Sequence, residues 1–202
     1  VLVVNDGIRQ EGQQWGDEHG IEIDEYSIDH AEILKGPAAL SYGSDAMAGV
    51  INFLPALPLP DGQIKGNILQ NYQSNQGLWG SSVDFSGNLR GNFFDVRLSQ
   101  KQAHAFSNAR DGSVFNSGFH EYASKITVGR NASWGYSHLV LSAYHLLPGI
   151  VLGERDSATG KFCYTSRIND TLGVPLIATD KDMKKYFSVT PHQDIQHYKA
   201  VW

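Results

Sequence analysis

From Gln63 onward, apolar and polar residues alternate along the chain, and this period of two constrains the fold more than any other feature. Val83, Phe85 and Leu89 share one face of such a segment, and polar residues separate them. The same alternation recurs in three further segments: 94–99, 125–129 and 139–144. Because successive side chains of a β-strand point to opposite faces, each segment predicts a strand with one apolar and one mostly polar face.

The predicted connections between these strands are short and long in turn. Residues 90–92 and 131–135 predict tight turns, whereas residues 106–119 and 147–191 are long loops. Short turns at one end of a sheet and long loops at the other are typical of outer-membrane β-barrels. A soluble secreted β-sandwich that binds a surface ligand is the alternative, although a sandwich has no reason to place its long loops at one end.

Composition excludes several classes of protein. The net charge of -5 leaves no basic excess to attract phosphates, so a nucleic-acid partner is not expected. No run of about 18 apolar residues predicts a transmembrane helix. Cys163 is the single cysteine, which excludes a domain stapled by its own disulfides. No catalytic set of Ser, His and Asp or of Cys and His has a plausible structural frame, so we do not expect an enzyme.

Residues 1–57 differ from the alternating part and predict a unit of their own. Residues 1–4 predict a buried strand, residues 5–7 a turn, and residues 8–20 a polar loop with several glycines. Three prolines then break any regular element and predict a linker: Pro55, Pro58 and Pro60. The chain starts and stops abruptly, and we expect it to be an internal fragment of a longer protein.

Residues 32–53 carry the most specific pattern in the chain. They predict a strand, a one-turn helix, a tight turn and a second strand. Pro37 stands where a first helical residue needs no N–H, and Gly43 stands where a helix end favours glycine. Residues 50–53 form the second strand.

This segment resembles the plug-domain signature of TonB-dependent outer-membrane receptors. In that signature a charged, extended segment leads into Lys-Gly-Pro, then Tyr-Gly-Ser and a Gly-Val-Ile-Asn strand, which here begin at Lys35, Tyr42 and Gly49. The resemblance implies a mixed α+β plug, with its C-terminal half in residues 1–57, followed by antiparallel strands of a large transmembrane β-barrel. Residues 58–202 would then form the first five or six strands of an incomplete barrel.

The resemblance also implies function, location and partners. The chain would be part of a bacterial outer-membrane receptor that imports a ligand by an energy-coupled rearrangement of the plug. Its partners would be outer-membrane lipid, a small metal-containing ligand and the TonB motor complex, which binds a motif missing from this chain. In the resembled receptors, the carboxylate and cation that match Glu32 and Lys35 pack against the inner barrel wall.

The loop at residues 12–20 is the candidate ligand site. Asp17, Glu18 and His19 bring carboxylate oxygens and an imidazole nitrogen together, a set that suits zinc and related divalent ions. In the resembled family this segment is an apical plug loop that faces the ligand, and the match is sharper to the zinc-receptor branch. Gln14 and Trp15 are further candidates, which could grip a metal chelate. No resident cofactor is expected, and zinc, another divalent metal or a chelate would be the transported ligand.

The barrel interpretation also predicts side-chain orientation. The apolar positions should point away from the plug, and four polar residues should point towards it: Asp84, Asn88, Asp95 and Arg97. His192 and His197 flank the return into a strand, so either could lie at the mouth of the barrel.

Overall fold

The computed structural model of the protein describes residues 1–10, 20–167, 173–185 and 192–202. In these ranges the chain forms an N-terminal unit, residues 1–10 and 20–54, and a large antiparallel sheet, the large sheet, which begins at Ile64. Among the described residues, no helix combines the length and the apolar character needed to cross a membrane.

The N-terminal unit is a four-stranded sheet with short 3₁₀ helices. Its strands are β1 (Leu2–Asn5), β2 (Ile8–Arg9), β3 (His30–Leu34) and β4 (Val50–Leu54). The strand order is β2-β1-β4-β3, with β1 parallel to β4. The 3₁₀ helices are Glu25–Ser27, Gly36–Tyr42 and Ser44–Ala46. A small apolar core lies inside the unit and consists of Leu2, Val4, Ala39, Ala46 and Val50.

The turn and helix-end signals in this unit are confirmed, whereas the predicted loop at residues 8–20 is wrong at its start, because Ile8 and Arg9 pair with β1 as strand β2. Asp6 and Gly7 form the two-residue turn between β1 and β2, both with positive φ, as a type I′ hairpin turn requires. Pro37 lies in the first turn of Gly36–Tyr42, and Gly43 follows this helix at φ +103. The helix is 3₁₀ and seven residues long, so it is longer and more tightly wound than the single turn that the sequence predicts.

The remaining strands are, in chain order, β5 (Ile64–Gln73), β6 (Leu78–Leu89), β7 (Asn92–Ala103), β8 (Ser107–Asn108), β9 (Gly112–Ser113), β10 (Phe119–Ala132), β11 (Gly135–Pro148), β12 (Cys163–Arg167), β13 (Gly173–Ile177) and β14 (Ile195–Val201). Six of them form the large sheet in the order β14-β11-β10-β7-β6-β5. β5 and β14 are its edges, so the predicted transmembrane barrel is not closed.

The connections of the large sheet follow the predicted alternation from β6 onward, whereas the connection between β5 and β6, residues 74–77, is short although it lies at the end that carries the long loops. Tight turns join β6 to β7 and β10 to β11, whereas the loops after β7 and β11 are long. The two long loops contain the hairpins β8–β9 and β12–β13 and the helix α1 (Asp180–Met183). They pack on each other through a second apolar cluster, made of Val114, Phe115, Phe162 and Ala178.

The two faces of the large sheet differ as the alternation predicts. The outer face is apolar and exposed; Val83 and Phe85, for example, are 47% and 49% accessible to solvent. The inner face lies against the N-terminal unit and its linker, where the Asn88 Nδ2 donates to the Leu59 carbonyl over 2.7 Å. Cross-strand pairing places Asp84 opposite Arg97 on this inner face, so the predicted register is confirmed.

Candidate functional site

The N-terminal unit contacts the inner face of the large sheet through charged side chains. We name this contact the seam. Its members from the unit are Asp6, Glu22, Asp24 and Glu25, and its members from the large sheet are Lys101, Glu121, Lys125, His197 and Lys199. Most of these side chains are shielded from solvent, so their ion pairs act in a medium of lower dielectric constant than water.

The first group in the seam is centred on Asp6. The hairpin turn after β1 projects its carboxylate onto the large sheet, where the side chain is only 4% exposed. Lys125 Nζ donates to Asp6 Oδ1 over 2.5 Å, and Lys199 Nζ donates to Oδ2 over 2.6 Å. Burial alone would raise the pKa of Asp6, but the two ammonium groups outweigh it and lower this pKa below its ordinary value. Asp6 is therefore held as a carboxylate that bridges two strands.

The second group is centred on Lys101. Its Nζ contacts Glu25, donates to Glu121 Oε1 over 2.5 Å and lies 3.6 Å from Asp24 Oδ1. Asp24 is also the N-cap of Glu25–Ser27, because its Oδ1 accepts from the Tyr26 N–H. Burial raises the pKa of Asp24, and the attraction of Lys101 offsets this only in part. One lysine thus holds three carboxylates, one of which also begins the 3₁₀ helix.

The third group ties the base of the candidate ligand loop to β14. His197 Nε2 lies 2.6 Å from Glu22 Oε2, and Gln10 Nε2 donates to the Glu22 carbonyl over 3.4 Å. Gln10 and Glu22 stand on either side of residues 11–19, so both ends of that segment are held together. Tyr144 stacks on the His197 ring at 6.0 Å and donates its hydroxyl to Glu121. The second and third groups are therefore linked.

Tyr26 completes the contact. Its ring lies below Lys101 Nζ, 4.6 Å from the ring centroid, and its hydroxyl accepts from Asn71 of β5 over 3.5 Å. Gly80 makes room for it, because a Cβ at this position would lie 2.4 Å from the Tyr26 hydroxyl. Because Gly80 has no side chain, the Tyr26 hydroxyl can approach β6 closely at this position.

Asp24, Glu25 and Glu121 also form the one cluster of three candidate metal ligands within the described ranges. Their oxygens all lie within 4.8 Å of one another. Lys101 already contacts each of the three carboxylates, so the cluster is neutralised by a side chain of the protein. The geometry favours a structural role for it over a metal centre.

The sequence-predicted site residues have two different locations. The candidate ligand-binding residues lie outside the described residues: Gln14, Trp15, Asp17, Glu18 and His19. Glu32 and Lys35 are exposed on the N-terminal unit, and Glu32 Oε2 accepts from Asn52 of the same sheet. Within the described ranges, neither of the two has a hydrogen bond or an ion pair with the large sheet. Their packing against a barrel wall therefore stays a prediction.

Sequence reasoning missed the seam. Its residues stand at ordinary polar positions of strands and turns, and no short motif contains them. One signal was present: Lys125 falls on the predicted polar face of its strand, and a buried polar face that carries a lysine requires a carboxylate opposite it. Lys101 and Lys199 lie outside the segments for which faces are predicted. Which carboxylates meet them depends on the tertiary fold.

A comparison with known families agrees with this architecture. Residues 1–50 match the family model described as the TonB-dependent Receptor Plug Domain. No curated protein matches the chain. A plug domain is characteristic of outer-membrane receptors, and it indicates a transporter or receptor and not an enzyme. The match therefore supports the assignment of the N-terminal unit to the plug of a TonB-dependent receptor and indicates a role in outer-membrane transport.

Proposed function

We propose that this chain is part of a TonB-dependent outer-membrane receptor that imports a metal ion or a small metal chelate. In this proposal residues 1–57 belong to the plug, and residues 58–202 contribute the first strands of the barrel around it. Ligand binding at the outward side and a pull from the TonB motor complex rearrange the plug and open a path.

One observation carries the proposal: the two faces of the large sheet have opposite chemistry. The inner face pairs its charges with the plug, whereas the outer face exposes a broad apolar band that includes Ile68, Val83, Phe85, Leu98 and Leu141. Exposed aromatic side chains lie at both ends of the sheet: Tyr72, Trp79 and Tyr122 near the long loops, and Trp134 and Trp202 near the short turns. An apolar band between aromatic girdles fits the surface of an outer-membrane barrel.

The soluble β-sandwich requires a different arrangement. It predicts two packed sheets with polar outer faces, so that the apolar side chains of each sheet cover those of the other. In the described part of the chain there is one large sheet, and its apolar face is the exposed one. An apolar surface of this extent in a soluble monomer would promote association.

A pair of substitutions on adjacent residues of β6 tests the proposal. In the full-length receptor, Phe85→Arg places a cation in the lipid-facing band and should reduce the free energy of folding into lipid bilayers by about 2–4 kcal/mol. Ser86→Arg, on the opposite face of the same strand, is the matched control and should have little effect. Equal small effects of both changes, with a receptor that stays folded without detergent, would contradict the membrane assignment.

The candidate ligand site in this proposal is the apical loop. Asp17, Glu18 and His19 would supply metal ligands, and Gln14 and Trp15 would contact a chelate. The described residues support this role indirectly, because Gln10 donates to the Glu22 carbonyl and Glu22 contacts His197 of β14, on either side of the loop. Such a base lets the loop meet ligands at the rim of the barrel.

Zinc titration of the full-length receptor tests the metal part of the proposal. His19→Ala should weaken zinc binding by about tenfold or more, because an imidazole ligand is lost. His30→Ala is the matched control, since His30 is an exposed plug histidine that contacts Asp29 over 3.1 Å. An unchanged zinc affinity in His19→Ala would leave the chelate, gripped by Trp15 and Gln14, as the ligand to be tested.

The proposal also assigns Glu32 and Lys35 to the packing of the plug against the barrel. Both are exposed on the side of the unit formed by β3, which the large sheet does not cover. We expect them to meet other parts of the barrel wall, where a charged pair suits a polar lumen. Energy coupling would come from the TonB motor complex through a motif elsewhere in the receptor.

A further inference from the structure

The two sides of the seam carry mostly opposite charges. Among the described residues, the charged groups that the plug contributes to it are carboxylates, namely those of Asp6, Glu22, Asp24 and Glu25. The large sheet, which we call the wall, contributes three lysines and a histidine, with Glu121 as its single acid among the described contacts. Removal of the plug would therefore leave the wall with unpaired positive charge.

The register of the large sheet concentrates this charge. Five residues lie directly opposite one another across β6, β7, β10, β11 and β14: Asp84, Arg97, Lys125, Ser142 and Lys199. Arg97 is paired with Asp95, over 2.8 Å, within its own strand. Lys125 and Lys199 flank Ser142 with their backbones about 10 Å apart, at two strand spacings. Both reach the same carboxylate, Asp6, and no acid of the wall replaces it among their described contacts.

The seam also leaves a cavity between its charged side chains. A cavity of about 60 Å³ lies between the plug and the wall, lined among others by Asp6, Glu22, Lys125, Tyr144 and Lys199. This is room for water beside groups that bind it. The apolar core of the plug lies inside the unit and is not shared with the wall. The plug can therefore separate here by exchanging ion pairs for water, without exposing its own core.

From these observations we propose that the seam opens as the transport path and that Lys125 and Lys199 make it a path for an anionic solute. Once Asp6 withdraws, the two ammonium groups face the lumen and are available for the carboxylate or other anionic group of a chelate. A bare divalent cation would be repelled at the same place. The inference rests on the proposed receptor function and narrows its ligand to an anionic metal chelate.

Ion selectivity of the opened receptor tests this inference, with potassium and chloride as probes. The full-length receptor is inserted into planar lipid bilayers, the plug is released reversibly with urea, and the reversal potential is measured in a KCl gradient. Lys125→Gln/Lys199→Gln should lower the permeability ratio of chloride to potassium by about twofold or more. Lys125→Arg/Lys199→Arg keeps both charges and should retain the wild-type ratio, as should Lys161→Gln, an exposed loop control.

The outcomes separate the two proposals. If no variant and not even the wild-type receptor forms a pore, the receptor function itself fails. If pores open and the Gln variant has the same selectivity as the wild type, the anionic path is wrong and the receptor function stands. If the double Gln variant does not insert, Lys199→Gln alone is used; it should give a smaller shift in the same direction, and an unchanged ratio would overturn the inference.

Discussion

At the scale of single residues, Asp6 combines two roles that could conflict. Its backbone has φ +53, a conformation that Asp and Asn adopt more readily than most other residues, and the turn depends on it. Its carboxylate meanwhile bridges Lys125 and Lys199. The sequence predicts the turn from the Asn-Asp-Gly tripeptide. It does not predict the bridge, because the two lysines lie 119 and 193 residues away along the chain.

The substitution Asp6→Asn separates these roles. Asn fits the turn but removes the charge, so the plug should dock more weakly by about 2–5 kcal/mol, since two lysines lose their carboxylate. The measurement is the urea midpoint for plug release in the full-length receptor, reported by a fluorophore attached at the exposed Met47 position after Met47→Cys and Cys163→Ser. Asp45→Asn is the matched control, because the Asp45 ion pair with Arg9 is more exposed.

The pKa of Asp6 gives this comparison a pH dependence. The folded-state pKa lies below the ordinary value, so the carboxylate contributes stability above the unfolded-state pKa. That contribution is lost as the pH falls through the folded-state pKa. The difference between wild type and Asp6→Asn should thus be constant from neutral pH to about pH 5 and shrink below about pH 4. A difference that stays unchanged at the lowest pH would contradict the role assigned to the charge.

At the scale of elements, the N-terminal unit contacts the large sheet through the 3₁₀ helix Glu25–Ser27 and strand β6. Tyr26 and Gly80 fit as a protrusion and a recess, and the fit involves the tyrosine hydroxyl. The alternation in the sequence correctly predicts β6 and its faces. It does not predict the need for a glycine at position 80, because that need comes from Tyr26, which lies more than fifty residues earlier in the chain.

Two glycines of neighbouring strands allow a matched test. Gly80→Ala places a Cβ 2.4 Å from the Tyr26 hydroxyl and should weaken plug docking by about 1–3 kcal/mol through overpacking. Gly66→Ala places its Cβ at an ordinary 3.5 Å from Phe85 and should have little effect. The urea midpoint for plug release is the measurement. Tyr26→Phe added to Gly80→Ala removes the clashing oxygen and should restore much of the loss; no recovery would show that the recess serves another purpose.

At the scale of the whole molecule, the period of two predicts the architecture well. It identifies β6, β7, β10 and β11, their faces and the short turns and long loops that follow them, because each of these depends on residues close in sequence. The contacts between the N-terminal unit and the large sheet depend instead on the tertiary fold, because they join residues that lie far apart in the sequence. His197 illustrates the difference: its sequence position suggests the barrel mouth, and the structure shows that its partner is Glu22 of the plug.

The parallel pairing of β1 with β4 has a mechanical consequence. Residues Leu2–Asn5 pair in register with Val50–Phe53, and β4 continues into the linker that anchors the plug to the wall. A force applied before β1 therefore acts at the opposite end of the pair from its anchor. Such a load shears all the hydrogen bonds of the pair together and does not unzip them one at a time. Because these bonds share the load, we expect the four-stranded sheet to transmit a pull as one body and the ion pairs of the seam to break before it does.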